Sequence, residues 1–119
     1  MADRKSPTGH KKGMWAELRA AAYLRLRGYK LRARRYKTPL GEIDLVVERG
    51  QTLVFVEVKL RATLDSAAEA IHIRNQKRVR AAAELYLQQY PQYNNHDMRF
   101  DALILTPGRD IAHLEAAWM

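Results

Sequence analysis

Four charged residues stand where β-strands ordinarily carry apolar side chains: Glu42 and Asp44 in "GEIDLVV", and Glu57 and Lys59 in "LVFVEVKL". Taking a charge out of water is costly unless something compensates it. In each strand the two charges are spaced by one residue, so they share a face. With Arg49 and Gly50 as a two-residue hairpin turn, Glu48 lies opposite Gln51, Asp44 opposite Phe55 and Glu42 opposite Glu57. The four charges are then expected on one face, and Ile43, Leu45, Val47, Val54, Val56, Val58 and Leu60 form an aliphatic second face. Carboxylates gathered this closely repel, and the repulsion is relieved by a raised pKa, by the Lys59 ammonium or by a divalent cation. Hard oxygen donors select Mg2+ or Mn2+, with water and a substrate phosphate completing the shell. A lysine beside such a cation would orient or deprotonate an attacking water. The same charges also admit a structural role, as a salt bridge from Lys59 to Glu57 or Glu42 with Asp44 at the solvent end of its strand.

The elements that must position these groups follow from periodicity. A helix is expected from Met14, with Met14, Glu17, Ala20, Ala21 and Leu24 on one face, widened by Trp15, Leu18, Ala22 and Leu26, and with Gly28 as its stop. Glu17 thus lies on the buried side, either as an ion pair near the helix start or as part of the site. "YKLRARRYK" alternates as an edge strand with one wet face. Strands over 41–48 and 52–60 follow, then a connector in which Ser66 and Glu69 have capping-box spacing. A second helix over 74–89 buries Val79, Ala82, Ala83, Tyr86 and Tyr90. Gln76 sits one turn before Val79, either facing the site or as a polar residue at a frayed end. "MRFDALILT" and "DIAHLEAAW" read as the last strands, the apolar C-terminus either covering the core or serving an interface. The order α, β, β, β, α, β, β describes a mixed central sheet flanked by helices in a single domain over residues 13–119, preceded by a flexible basic arm over 1–12.

The chain has 119 residues, with 21 lysines and arginines against 13 acids, a net charge of +8 and no cysteine. The missing cysteine excludes disulfides, thiolate catalysis and cysteine zinc sites. Without an apolar run of membrane-spanning length or a secretion signal, a cytoplasmic protein with no membrane association is expected. The basic excess points to a polyanion, in cytosol chiefly nucleic acid. Arg25, Arg27, Lys30, Arg32, Arg34, Arg35 and Lys37 form one cluster, and Arg61, Arg74, Lys77, Arg78 and Arg80 lie near the hairpin and second helix. They either contact phosphates without reading sequence or form a solvated surface. Tyr29, Tyr36, Tyr90 and Tyr93 are expected at core edges, and His10, His72, His96 and His113 as ordinary surface or satisfied residues.

"GEID" followed by "VEVK" resembles the E-x-D then E-x-K signature of the PD-(D/E)xK, or restriction endonuclease-like, nuclease superfamily. From Gly13 onward, including "RFDALIL", the chain is similar to the YraN-like family of small bacterial proteins, usually placed beside archaeal Holliday junction resolvases. The resemblance implies an αβββαβ core, Asp44 and Glu57 as ligands of Mg2+ or Mn2+, Lys59 as the catalytic lysine, Glu17 as the first-helix carboxylate and Gln76 as the glutamine of the helix after the hairpin. Glu42 would stand behind the ligands. Asn75 occupies the place where many relatives carry a lysine. The implied activity is metal-dependent cleavage of DNA phosphodiester bonds, in branched or damaged DNA, by a chain that a junction with two strands to cut would pair as a homodimer. The alternative is a non-catalytic nucleic-acid-binding module on the same fold.

Overall fold

The computed structural model describes residues 5–64 and 73–118, with side chains from residue 14 to 64 and from 76 to 118. The expected order of elements is present: α1 (Lys5–Leu26), β1 (Lys30–Thr38), β2 (Gly41–Arg49), β3 (Thr52–Leu60), α2 (Ile73–Gln89), β4 (Asp97–Leu105) and β5 (Ile111–Trp118). Helical backbone in α1 begins upstream of Met14, where the apolar periodicity starts. Ser66 and Glu69 lie outside the described residues, as do the side chains of Arg74 and Asn75. Among the described residues, no helix is long and apolar enough to cross a membrane.

The five strands form one sheet in the order β1-β2-β3-β4-β5, with β1 at an edge as its alternation predicts. Only β3 and β4 are parallel. A parallel neighbour needs a crossover connection, and α2 supplies it. One face of the sheet packs Ile43, Val46, Leu53, Phe55, Ala102 and Ile104 against Val79, Ala82, Ala83 and Tyr86 of α2. The opposite face packs Leu45, Val47, Val54, Val56, Leu103 and Leu105 against Ala16, Ala20 and Leu24 of α1. Strand β3 is covered on both sides, which explains why "LVFV" is a continuous apolar run rather than an alternation. Trp118 is buried beside Phe100, so the end of β5 covers the core. Tyr36, Tyr90 and Tyr93 pack around Tyr86 at the edge of the same core.

Three expectations are corrected. The first is the buried face of α1. Its centre is Ala16, Ala20 and Leu24, whereas Met14, Trp15, Leu18 and Leu26 are exposed. Two alanines let the helix axis approach the sheet, and the bulkier neighbours are rotated outward.

The second is the hairpin register. Arg49 pairs with Thr52 and Glu48 with Leu53, so the turn residues are Gly50 and Gln51. Gly50 has φ +61°, which suits the first central position of a II′ turn, where glycine is the unstrained residue. The shift is two residues, so β3 keeps its expected faces. It moves Asp44 away from Phe55 and toward Glu57.

The third is the continuous aliphatic face. Ile43 packs with Val46 on the α2 side while Leu45 packs on the α1 side. Neighbouring β1 shows the same break: Tyr36 and Ala33 join the α2 side, and between them Arg35 has φ +53°. A left-handed residue inside a strand resets which side the next residue faces. Arg35 lies between the Arg34–Leu45 and Tyr36–Ile43 rungs, level with Asp44.

Gly41 opens β2 against α2. A Cβ there would overlap the backbone carbonyl of Arg78. This close approach fixes the start of β2, and with it Glu42 and Asp44, against the first turns of α2.

Candidate active site

Beyond the Leu45–Val56 rung, β2 and β3 no longer pair. The Asp44 carboxylate bridges the strands instead, its Oδ2 accepting the Val58 N–H at 2.7 Å. A cavity of about 200 Å3 opens there, lined by Glu42, Asp44, Glu57, Val58, Lys59 and Val79. The four charges singled out in the sequence therefore line one cavity, although not through the register expected for them. Glu57 is 4% exposed, and its Oε2 is 2.9 Å from Lys59 Nζ. The Lys59–Glu57 salt bridge thus exists, and it lies inside the cavity.

The electrostatics single out Asp44. Burial, together with the neighbouring charges of Glu17, Glu57 and Glu42 and against the opposing Val58 N–H, pushes its carboxyl up to about 6. Glu17 is half-buried on α1, with its Oε1 3.8 Å from Arg35 Nε. It reaches the site through charge. Glu42 is exposed and sits across from Lys37 in the β1–β2 ladder. Gln76 is half-buried in the first turns of α2, one turn before Val79 of the cavity wall.

This donor set suits one small, hard divalent cation. Mg2+ typically takes one or two carboxylates and keeps water on its other positions. Asp44 and Glu57 supply that number, and the crowding of negative charge on Asp44 is what a cation would relieve. Among the described residues, no group of three or more histidines, aspartates or glutamates is gathered closely enough to form an all-protein cage. A cation here would therefore depend on water and a substrate oxygen to complete its shell.

The basic residues divide into two sets. Lys37 faces Glu42 across the ladder. Arg61 follows the end of β3, where its backbone N–H bonds Leu105 O. Lys77 and Arg78 are exposed on the first turns of α2, where the Arg78 backbone abuts Gly41. Lys37 thus neighbours Glu42 and Arg78 precedes Val79 of the cavity lining, while Arg35 is held 3.8 Å from Glu17 outside that lining. Arg25, Lys30 and Arg34 instead line a separate groove between α1 and β1. Arg27 stacks on Tyr23, and Arg32 pairs with Glu48 at 2.8 Å.

A second charged cluster lies outside the sequence expectations. Asp101 on β4 is fully buried. It accepts two hydrogen bonds from Arg99 at 2.8 Å, one from His113 Nε2 at 2.8 Å and one from the Ala116 N–H at 3.0 Å. Arg99 also bonds the Tyr29 hydroxyl. Burial alone would raise the Asp101 carboxyl; the bonds from His113, Arg99 and Ala116 outweigh it and hold the group below its usual value. The one signal in the sequence was an aspartate amid the apolar residues of "RFDALIL", with an arginine two positions before it.

Relatives align with this chain over most of its length. It is 52% identical over 106 residues to a UPF0102 protein of Rhodopseudomonas palustris strain HaA2, covering 89% of this chain and 83% of that one. It is 50% identical to a UPF0102 protein of Parvibaculum lavamentivorans, covering 89% and 80%. A UPF0102 protein of Nitrobacter winogradskyi is 47% identical, covering 89% and 90%. The family signature described as "Uncharacterised protein family UPF0102" matches residues 16–105, a span running from the buried face of α1 through the cavity hairpin to the end of β4. With that span and these relatives in agreement, the chain belongs to the UPF0102 family.

Proposed function

We propose that this protein is a metal-dependent endonuclease-like enzyme acting on DNA phosphodiester bonds, with branched or damaged DNA as its substrate, and that its resemblance to the PD-(D/E)xK superfamily reflects shared chemistry. The observation that carries the reading is the polar cavity in which Asp44, Glu57 and Lys59 meet where β2 and β3 part. Asp44 and Glu57 would hold Mg2+ or Mn2+, which when bound supplies Lewis-acid activation of water and offsets charge on the scissile phosphate. Lys59 presents an ammonium at the cavity wall, suited to orienting a water or taking up negative charge on a phosphate oxygen. Glu17 adds negative potential that favours a cation at Asp44. Gln76 offers an uncharged donor and acceptor at the start of α2 for a phosphate or for Lys59. Lys37, Arg61, Lys77 and Arg78 would hold the sugar-phosphate backbone over the cavity without reading sequence.

The test is cleavage of a labelled panel of single-stranded, duplex, flap and four-way-junction DNA with Mg2+ or Mn2+ against EDTA. Wild type would be compared with Glu57→Ala and Lys59→Ala. Metal-dependent cutting lost in both variants is expected, and the panel would reveal the preferred substrate. Binding without cutting, unaffected by chelation, would instead assign a non-catalytic nucleic-acid-binding module.

A further inference from the structure

The outward face of α1 lies away from the cavity lining, and among the described residues it is largely exposed. Trp15 is 44% exposed, Leu18 51% and Leu26 84%. With exposed Ala22 they follow at steps of three and four residues, so they form one stripe along the helix. Beside this stripe, a groove of about 750 Å3 runs between α1 and the edge strand β1. Its lining includes buried Leu24 and Val47, exposed Leu18 and Leu31, and the cations Arg25, Lys30 and Arg34, with no acid in it. Leu31 is itself 45% exposed.

We infer that this stripe and groove form a docking surface for an acidic amphipathic helix of a partner protein. A helical stripe meeting a groove selects a helix with apolar anchors at matching spacing. A partner strand is disfavoured because β1 is irregular at its edge, with a bulge between Leu31 and Ala33 and the left-handed Arg35. Such irregularities and cations are what discourage strand addition. The charge of the partner follows from Arg25, Lys30 and Arg34, which would flank its apolar anchors. A second copy is disfavoured for the same reason. Its α1 carries Arg25 and Arg27 on exposed positions, while Glu17 is turned toward Arg35.

The experiment uses the full-length protein and two synthetic amphipathic peptides. Both have leucines at i, i+3 and i+7; one flanks them with glutamates and the other with lysines. Trp15 fluorescence reports binding, because Trp118, the other tryptophan, is buried. The acidic peptide is expected to bind at least about tenfold more tightly than the basic one. Leu18→Glu should weaken it at least about tenfold while leaving the melting transition in place, since Leu18 is exposed. Arg25→Glu combined with Arg34→Glu should invert the preference between the peptides. Equal affinity for both peptides, no binding at millimolar concentration, or insensitivity to Leu18→Glu overturns the proposal. So does a concentration-dependent dimer abolished by Leu18→Glu, which would assign the surface to a second copy. Binding to phosphatidylserine vesicles through Leu18, with no preference between the peptides, would assign it to a membrane surface and also overturn it.

Discussion

Asp44 and Asp101 are aspartates of the same sheet, and their surroundings make opposite demands on the proton. Asp101 gathers an arginine fork, a histidine and a backbone N–H, and its carboxylate is held ionised. Asp44 is buried, receives one backbone N–H and feels the negative charge of Glu17, Glu57 and Glu42, and its carboxyl is pushed up to about 6. A buried acid with satisfied oxygens ties strands together. One crowded by like charge stores a demand for a cation or a proton. The difference lies in the partners rather than in the residue type.

The contrast is most strongly broken at Asp101. Asp101→Ala leaves Arg99 and His113 without their buried partner and is expected to cost about 3–5 kcal/mol of folding stability. Denaturant titration measures this, and a loss near zero would remove the structural role given to the cluster. Asp44→Asn should do the reverse. It relieves the crowding, so the metal-free protein at pH 7 should gain up to about 3 kcal/mol, while cleavage should fall at least about a hundredfold. A strongly destabilised Asp44→Asn protein would show that Asp44 is structural too.

The pH dependence sharpens the same comparison. Asp44 moves from 3.8 unfolded to about 6 folded. Between those values the folded state holds the proton more firmly, so this group's contribution to stability falls as pH rises through about 4 to 6, by about 3 kcal/mol in all. Asp101, held low, has the opposite sign, and its stabilisation is lost as pH falls below the ordinary aspartate range. Asp44→Asn should flatten the decline above pH 4 in a metal-free series. Mg2+ should raise the melting temperature more at pH 7 than at pH 5, because protons compete for the same oxygens. An unchanged profile in the Asp44→Asn protein would contradict the crowding. The smallest of these effects concerns Gly41. Gly41→Ala should cost about 1–3 kcal/mol by pushing β2 from Arg78. Its activity loss should exceed that of an equally destabilised variant in the Asp101 cluster.

Much of this was legible in the sequence, for identifiable reasons. β1 largely alternates, β3 and β4 carry short continuous apolar runs bounded by turn residues, and α2 has a period of 3.6, so the existence and order of these elements were readable. The four charges near the hairpin were readable because charge inside an apolar alternation is conspicuous. The register was not, since Arg49-Gly50 and Gly50-Gln51 are both two-residue turns and only backbone geometry at Gly50 separates them. The face of α1 was obscured by its alanines, which give little contrast between inside and outside. The Asp101 cluster was hidden because its partners His113 and Ala116 arrive from another strand and Tyr29 from a distant part of the chain. The flip of alternation at Arg35 and Asp44 has no local signature at all.

The short turn at Gly50 and Gln51 also bears on the order in which the molecule assembles. β2 and β3 meet across two residues, whereas β3 meets β4 only after the chain has passed through α2. Local pairings form early and crossover pairings late. The carboxylates can therefore come together in an exposed hairpin, where water still screens them, and their mutual repulsion grows only as the helices close over the sheet. On this account the penalty lies on the native side of the folding barrier. Asp44→Asn should slow unfolding and leave the refolding rate nearly unchanged, and a chevron in which only the refolding arm moved would show that the site is already dry at the transition state.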